Sequence, residues 1–153
     1  GGIGYVDTEI QEYAVRPYTV GNKLPYTPNY NGNIGVEFNI PLATDLQVVA
    51  RVDEIFVGKT RFSPVQQQSL PNFFTAFGFG QGDFSKQFRD PYQVTNVNVT
   101  LEANRWSLSA WVNNLFDKDF LSEVIPAPEF GGSFTGDSAG RTFGLRMSYT
   151  LGK

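Results

Sequence analysis

The most constraining feature of the sequence is an alternation of apolar and polar residues that recurs in six separate runs. A period of two is that of a β-strand with one apolar face, and helical periodicity is scarce along the chain. The runs cover residues 1–13, 30–40, 46–58, 92–103, 105–116 and 141–151. The last is the clearest, with every second residue apolar: Phe143, Leu145, Met147, Tyr149 and Leu151. The pattern therefore predicts an all-β, antiparallel protein.

The connections between the runs alternate in length. Short links occupy residues 41–45 and the turn around Asn104, whereas residues 14–29, 59–91 and 117–140 form long connections. In an antiparallel sheet this places every long connection at one end. Such asymmetry is typical of a transmembrane β-barrel, which has short periplasmic turns and long extracellular loops. The runs are also close to the length of about 9–11 residues with which a tilted strand crosses a bilayer.

Composition excludes several classes of function. The 153 residues include no Cys and no His, so disulfides, Cys/His zinc sites and histidine acid–base centres are impossible. A net charge of −3 argues against a nucleic-acid partner. The pairs Asp117/Asp119 and Asp53/Glu54 could be acid–base groups or cation ligands, but solvated strand ends explain them more simply. We expect no enzyme activity, no catalytic residues, no cofactor and no metal.

The apolar face of the runs allows two interpretations. It could point inward in a soluble barrel or sandwich, or outward to lipid around a wet or plugged lumen. The polar face favours lipid, because it carries scattered charges among Asn, Ser, Thr and Gly: Glu37, Arg51, Asp53, Glu102 and Arg146. Aromatic residues near the strand ends are typical of interfacial girdles: Tyr30, Trp106, Phe116 and Tyr149. Since bacterial barrels have at least about eight strands, six strands predict part of a longer polypeptide or an oligomer.

Two motifs point to a family. "VNNLFDKDF" (112–120) and "AGRTFGLRMSYTL" (139–151) resemble the C-terminal signature of TonB-dependent outer-membrane receptors. "GYVDTEI" (4–10) and "GNKLPYTPNYNGNIGVEF" (21–38) are similar to paired strands earlier in the same barrels. The chain departs from the family at its end, "YTLGK", where a terminal aromatic residue is usual.

The resemblance implies that residues 1–153 form the C-terminal portion of a receptor β-barrel of about 22 strands. The plug domain and the earlier strands would lie outside this chain. The implied partners are outer-membrane lipid, the plug of the same polypeptide, touched by Arg51, Asp53 and Arg146, and TonB, reached through the missing N-terminal part. The implied function is TonB-energised uptake, across a Gram-negative outer membrane, of a ferric siderophore, cobalamin or an oligosaccharide. A passive porin-like channel and a soluble β-barrel binding module are the alternatives.

The resemblance also places "NNLFDKDF" (113–120) at the external end of the penultimate strand, with Leu115 and Phe116 near the membrane interface. The same cluster could simply be a turn in which Asn and Asp satisfy free backbone groups.

Candidates for substrate binding lie in the long connections, because loops on a rigid scaffold carry recognition. Four phenylalanines in one segment could cap a ligand pocket or pack against neighbouring loops: Phe73, Phe74, Phe77 and Phe79. Four cations near the loop bases could attract an anionic ferric chelate or be merely solvated: Arg16, Lys23, Lys59 and Arg61.

Overall fold

The structure is a computed structural model that describes residues 1–127 and 132–151. Its strands are β1 (Gly2–Tyr5), β2 (Tyr30–Ala43), β3 (Leu46–Val57), β4 (Thr60–Arg61), β5 (Phe88–Arg89), β6 (Tyr92–Ala103), β7 (Trp106–Asn113), β8 (Leu121–Ala127), β9 (Gly132–Asp137) and β10 (Thr142–Tyr149). Two short 3-10 helices span Pro17–Thr19 and Phe73–Phe77. Within these residues, no helix is both long enough and apolar enough to cross a membrane.

One antiparallel sheet of six strands organises the chain, in the order β1-β2-β3-β6-β7-β10. Two-residue turns join β2 to β3 and β6 to β7, at residues 44–45 and 104–105. The three long connections, residues 6–29, 58–91 and 114–141, leave from the opposite end of the sheet. The predicted all-β antiparallel class is confirmed, as is the one-sided placement of the long connections.

The apolar residues of five strands fall on the same face because the strands pair in matching register. Val52 lies opposite both Val36 and Val97, and Val112 lies opposite both Val97 and Phe143. Directly opposed residues share a face of the sheet. Two further rows repeat the arrangement, the first being Phe38, Ala50, Val99, Ala110 and Leu145, and the second Ile40, Val48, Leu101, Leu108 and Met147. The faces predicted for these strands are therefore confirmed.

This apolar face is uncovered by any other part of the described chain. Phe143 and Leu145 are each 78% exposed, and Met147 is 72% exposed. Burying one such side chain contributes about 1.5–3 kcal/mol, so a face of this size favours an apolar surrounding. The buried apolar residues all lie outside the six-stranded sheet: Ile10, Phe62, Val65, Phe84 and Val124. The sheet is therefore a single-layered wall and not half of a sandwich.

The first predicted strand is wrong beyond Tyr5, where β1 ends. The chain then turns into the long connection, in which Ile10 exchanges backbone hydrogen bonds with Asn22 and Gly21 and becomes buried. The apolar residue at position 10 therefore reflects burial inside a loop and not a face of the sheet. The alternation of this run also predicts Tyr5 on the polar side, together with Asp7, Glu9 and Gln11. That prediction is wrong, because Tyr5 pairs with Tyr30 on the face that carries Ile34.

The long connections are more ordered than the sequence suggested. Residues 59–91, expected to be irregular, contain the β4–β5 pair and the 3-10 helix Phe73–Phe77. Residues 117–140 contain the β8–β9 hairpin, whose residues 128–131 lie outside the described part. Both segments lack a clear period of two, and therefore gave no strand signal in the sequence.

Candidate functional site

The described residues of the three long connections pack together into one body, here called the loop cap (residues 6–29, 58–91, 114–127 and 132–141). Its apolar core draws on all three connections: Ile10 from the first, three residues from the second and Val124 from the third. The three from the second are Phe62, Val65 and Phe84. A shared core fixes the loops relative to one another, as recognition on loops requires.

Hydrogen bonds tie the first connection to the second. Asn22 donates its Nδ2 to the carbonyl oxygen of Pro64 at 2.8 Å. Gln66 donates its Nε2 to the carbonyl oxygen of Lys23 at 2.7 Å. The amide of Tyr26 donates to the carbonyl oxygen of Arg61 at 2.7 Å. These bonds join residues that are about 35–45 positions apart, so the two connections cannot move independently.

Arg89 and Tyr26 attach the third connection. Arg89 donates from Nη1 to the carbonyl oxygen of Leu121 at 3.1 Å and from Nη2 to Thr60 Oγ1 at 3.2 Å. The Tyr26 hydroxyl donates to the carbonyl oxygen of Val124 at 3.3 Å. None of these residues was a site candidate from the sequence, because each contact joins segments that are distant along the chain.

The four candidate phenylalanines lie together on the surface of the loop cap. Asn72 caps the short helix, since its side chain accepts from the amides of Phe74 at 2.9 Å and Thr75 at 3.2 Å. The Phe73 ring centroid is 5.5 Å from that of Phe74 and 5.2 Å from that of Phe77. The Phe74 and Phe79 centroids are 6.2 Å apart. All four side chains are exposed, so they present an apolar surface instead of forming a core.

Beside this cluster lies a pocket of about 370 Å³, here called the cap pocket, between the first and second connections. Of the four phenylalanines, Phe73 alone lines it. Arg16, a sequence candidate, also lines it. The sequence gave no signal for the other lining residues that matter below, which are Tyr18, Val65, Leu70 and Phe84.

Three of the four candidate cations, Lys23, Lys59 and Arg61, line one small pocket of about 210 Å³, whereas Arg16 lies apart from them in the cap pocket. Lys23 forms an ion pair with Asp7 at 2.6 Å, which lowers the pKa of Asp7 and raises the pKa of Lys23. Lys59 Nζ lies 3.6 Å from the centroid of the Phe88 ring. Arg61 donates from Nη1 to the carbonyl oxygen of Ser85 at 2.9 Å. Arg16 differs, because it has no ion pair within residues 1–127 and 132–151.

The polar face of the sheet carries an ion network at its centre. Arg51 donates two hydrogen bonds to the carboxylate of Asp53, each 2.7 Å long, and lies 3.6 Å from Glu37 Oε2. Glu37 is directly opposite Arg51 in the register of β2 and β3. A guanidinium held by two carboxylates keeps a fixed orientation.

A second pocket, of about 480 Å³, lies on the polar face next to this network. Asp53 and Arg146 line it together with Trp111. A Cβ at Gly144 would lie 2.6 Å from Cζ2 of Trp111, so the indole lies across the backbone of Gly144. The three predicted plug-facing residues, Arg51, Asp53 and Arg146, therefore share the polar face.

The "NNLFDKDF" segment forms a backbone-satisfying turn. Asn114 Oδ1 accepts from the amide of Lys118 at 2.8 Å, and its Nδ2 donates to the carbonyl oxygen of Lys118 at 3.0 Å. Asp117 Oδ1 accepts from the amide of Arg141 at 2.7 Å, which ties the end of β7 to the start of β10. Asn114 and Asp117 have positive φ angles of 53° and 55°, which Asn and Asp tolerate better than most residues. The turn interpretation of these two side chains is confirmed.

The structure separates the two members of the acidic pair Asp53 and Glu54. Asp53 and Glu54 point to opposite faces of β3, since they pair with Gly35 and Ile34 respectively. Glu54 accepts a hydrogen bond from Thr95 Oγ1, and Asp117 is engaged in the turn. Among the residues described, no group of three or more His, Cys, Asp or Glu side chains could hold a metal ion.

Comparison with known proteins identifies a solved structure with a similar fold. No protein-family model matches the sequence. The chain is similar to the ferric yersiniabactin uptake receptor FyuA from Yersinia pestis, with a TM-score of 0.66 and 18% sequence identity. The fold of the chain resembles a portion of the barrel of that protein. The likeness covers 86% of this chain and 17% of that receptor, so the chain spans a small part of the neighbour's length.

This likeness confirms, at the level of the fold, the resemblance drawn from the sequence motifs. It also confirms the all-β barrel-wall class. The total of about 22 strands for the complete barrel remains a prediction.

Proposed function

We propose that this chain is the C-terminal part of the barrel wall of a TonB-dependent receptor in a Gram-negative outer membrane. The complete receptor would take up a large, scarce solute with energy supplied through TonB. The observation that carries this proposal is the apolar face, which is in register across five strands and left uncovered. The motifs at 112–120 and 139–151 and the fold likeness to an uptake receptor support it.

In this proposal the two faces of the sheet have different partners. The apolar face contacts lipid acyl chains, and the polar face looks into the lumen, where it contacts a plug domain of the same polypeptide. Arg51, Glu37 and Asp53 already satisfy one another within the wall. A plug therefore meets an arginine that two carboxylates of the wall already bind, and is held without a strong ion pair to Arg51 that would resist its movement. TonB would act on the plug, so this chain contributes the wall and not the energy coupling.

The loop cap faces the cell exterior in this orientation and would meet the solute first. Its aromatic cluster and the adjacent cap pocket are the proposed contact surface, with Phe73, Phe74, Phe77 and Phe79 as candidate substrate-binding residues. Of the three solute classes, a ferric siderophore is the one that the fold neighbour's name supports. Cobalamin and an oligosaccharide remain alternatives of the same transport class.

The test is uptake by cells that express the whole protein carrying this chain. Labelled ferric siderophores, cobalamin and oligosaccharides are supplied to strains with and without a functional TonB. We expect one solute class to accumulate, only in the strain with TonB, and the protein to fractionate with the outer membrane.

Uptake that persists without TonB, together with ion conductance in planar bilayers, would favour a passive channel instead. Recovery of the protein as a folded monomer without detergent would support a soluble binding module and refute the barrel-wall proposal.

A further inference from the structure

We infer that the cap pocket binds an organic anion built on an apolar ring, and that Arg16 holds its acidic group. This inference rests on the proposed function and narrows the class of solute, or part of a solute, that the loop cap recognises. The observation that carries it is that Arg16, a half-buried residue, has no ionic partner among the described residues and lines the same pocket as the apolar residues Val65, Leu70 and Phe84.

The floor of the pocket is rigid and apolar. Val65 is 2% exposed and Phe84 is 3% exposed, and both belong to the core of the loop cap. Leu70 and Phe73 also line the pocket, and Phe73 remains exposed at its rim. The apolar ring of a ligand that lies on this floor would gain burial without a large rearrangement of the protein.

Arg16 supplies the charge. Its backbone is fixed, because its carbonyl oxygen accepts from the amide of Thr19 at 2.9 Å and from Thr19 Oγ1 at 2.8 Å. Its side chain is half-buried, and the described part of the chain gives it neither a carboxylate partner nor a hydrogen bond donated by the guanidinium. A guanidinium without a carboxylate partner among the described residues can bind an anion with charge-assisted hydrogen bonds.

The contrast with the other cations of the loop cap singles out this position. Lys23 has Asp7, Lys59 lies over Phe88, and Arg61 donates to a backbone carbonyl. Those three side chains are occupied by the protein itself. Among the described residues, Arg16 is the sequence candidate whose charge is left for a ligand, and Tyr18 lines the same pocket.

The volume limits the ligand. About 370 Å³ lies near the lower end of the range of about 300–1,000 Å³ that small-molecule sites occupy. A single substituted ring fits this space, whereas a complete large solute does not. The pocket is therefore a subsite for one acidic ring of a larger molecule, or for a small aromatic acid by itself.

Three probes of similar size, which are benzoate, benzamide and benzylamine, test whether the cap pocket prefers an anionic ring compound to a neutral or a cationic one. Their binding to the whole protein carrying this chain, reconstituted in lipid nanodiscs, is measured by saturation-transfer NMR with empty nanodiscs as the blank. We expect benzoate to bind about tenfold or more tightly than benzamide, and benzylamine to bind most weakly. Equal binding of benzoate and benzamide overturns the inference.

The variant Arg16→Gln should reduce benzoate binding to the level of benzamide and leave benzamide itself unchanged. Arg141→Gln is the matched control, since its exposed guanidinium lies in the third connection and donates at 3.4 Å to the carbonyl oxygen of Leu115. Phe73→Ala should weaken benzoate and benzamide by the same factor, because it removes apolar contact and no charge. A benzoate preference that survives Arg16→Gln overturns the assignment of Arg16.

These results are separable from the proposed uptake function. Probe binding needs neither TonB nor transport, so loss of TonB-dependent uptake with an intact benzoate preference refutes the function alone. Normal uptake with no benzoate preference refutes the cap pocket alone.

Discussion

The six-stranded sheet, here called the wall, and the loop cap differ in where their apolar side chains lie. In the wall, apolar side chains are aligned on one face and stay exposed, as at Phe143 and Leu145. In the loop cap, fewer apolar side chains converge from three connections and become buried, as at Phe62 and Phe84. The wall therefore depends on its surroundings for stability, whereas the loop cap carries a core of its own.

The largest expected effect comes from removing that core. Phe62→Ala should cost about 3–5 kcal/mol of local stability, because Phe62 is buried and its ring centroid lies 5.5 Å from that of Tyr26. Limited proteolysis and amide hydrogen exchange in membranes should show an opened loop cap on an intact barrel. Phe116→Ala, at an exposed position of the third connection, should change neither measurement. Simultaneous loss of the barrel would contradict the separation of the two regions.

The next effect tests what the wall faces. Phe38→Arg places a charge on the apolar face. It should lower the free energy of unfolding by about 2–4 kcal/mol if that face contacts lipid. Asn39→Arg, one residue later and at nearly the same depth, places the same charge on the polar face beside Glu37 and should be tolerated. Insertion into outer membranes and the heat-dependent shift of the folded barrel on gels would report the difference. Equal tolerance of both variants would show that the apolar face does not contact lipid.

A smaller effect is expected at the junction between the regions. Asn114→Ala removes two hydrogen bonds to Lys118 from a position that is 5% exposed, and should cost about 1–3 kcal/mol. Asn114→Gly relieves the positive φ but loses the same bonds, so it separates backbone strain from hydrogen bonding. Urea unfolding in lipid vesicles measures both. Asp119→Ala serves as the control, and an equal loss there would argue against a specific role for Asn114.

The smallest effect concerns the exposed pair of Asp7 and Lys23. Lys23 lowers the pKa of Asp7, so the pair stabilises the fold above the ordinary carboxyl value of 3.8 and loses that contribution as pH falls below it. Lys23→Met should raise the pKa of Asp7 toward 3.8, as read from its carboxyl carbon by NMR. Lys118→Met should leave that pKa unchanged. An unaltered Asp7 pKa in the Lys23 variant would show that the ion pair is absent in solution.

The comparison of the two regions also explains what the sequence could predict. The faces of β2, β3, β6, β7 and β10 follow from a local signal, since each residue's side is set by its parity within a run. The loop cap has no such period, and its contacts join residues as far apart as Tyr26 and Val124. The alternation at residues 6–13 was misleading because Ile10 is apolar for a reason unrelated to the sheet.

For the candidate site, the sequence could likewise predict individual residues but not the contacts between distant segments. Composition and motif identified Arg16 and Phe73 as individual candidates, because cations and aromatic residues stand out in a loop. The sequence could not predict that Arg16 and Phe73 line one pocket with Val65 and Phe84. That arrangement requires the first connection to fold back on the second. The turn at Asn114 and Asp117 was predictable as one of two interpretations, since its hydrogen bonds are mostly local.

The indole of Trp111 lies where Gly144 leaves room for it. Any side chain at position 144 would displace the ring from the strand. In the proposed receptor, this glycine would therefore limit how far the indole projects into the lumen at that level. The absence of a Cβ atom at position 144 would thus help to set the width of the lumen in a receptor of the proposed type.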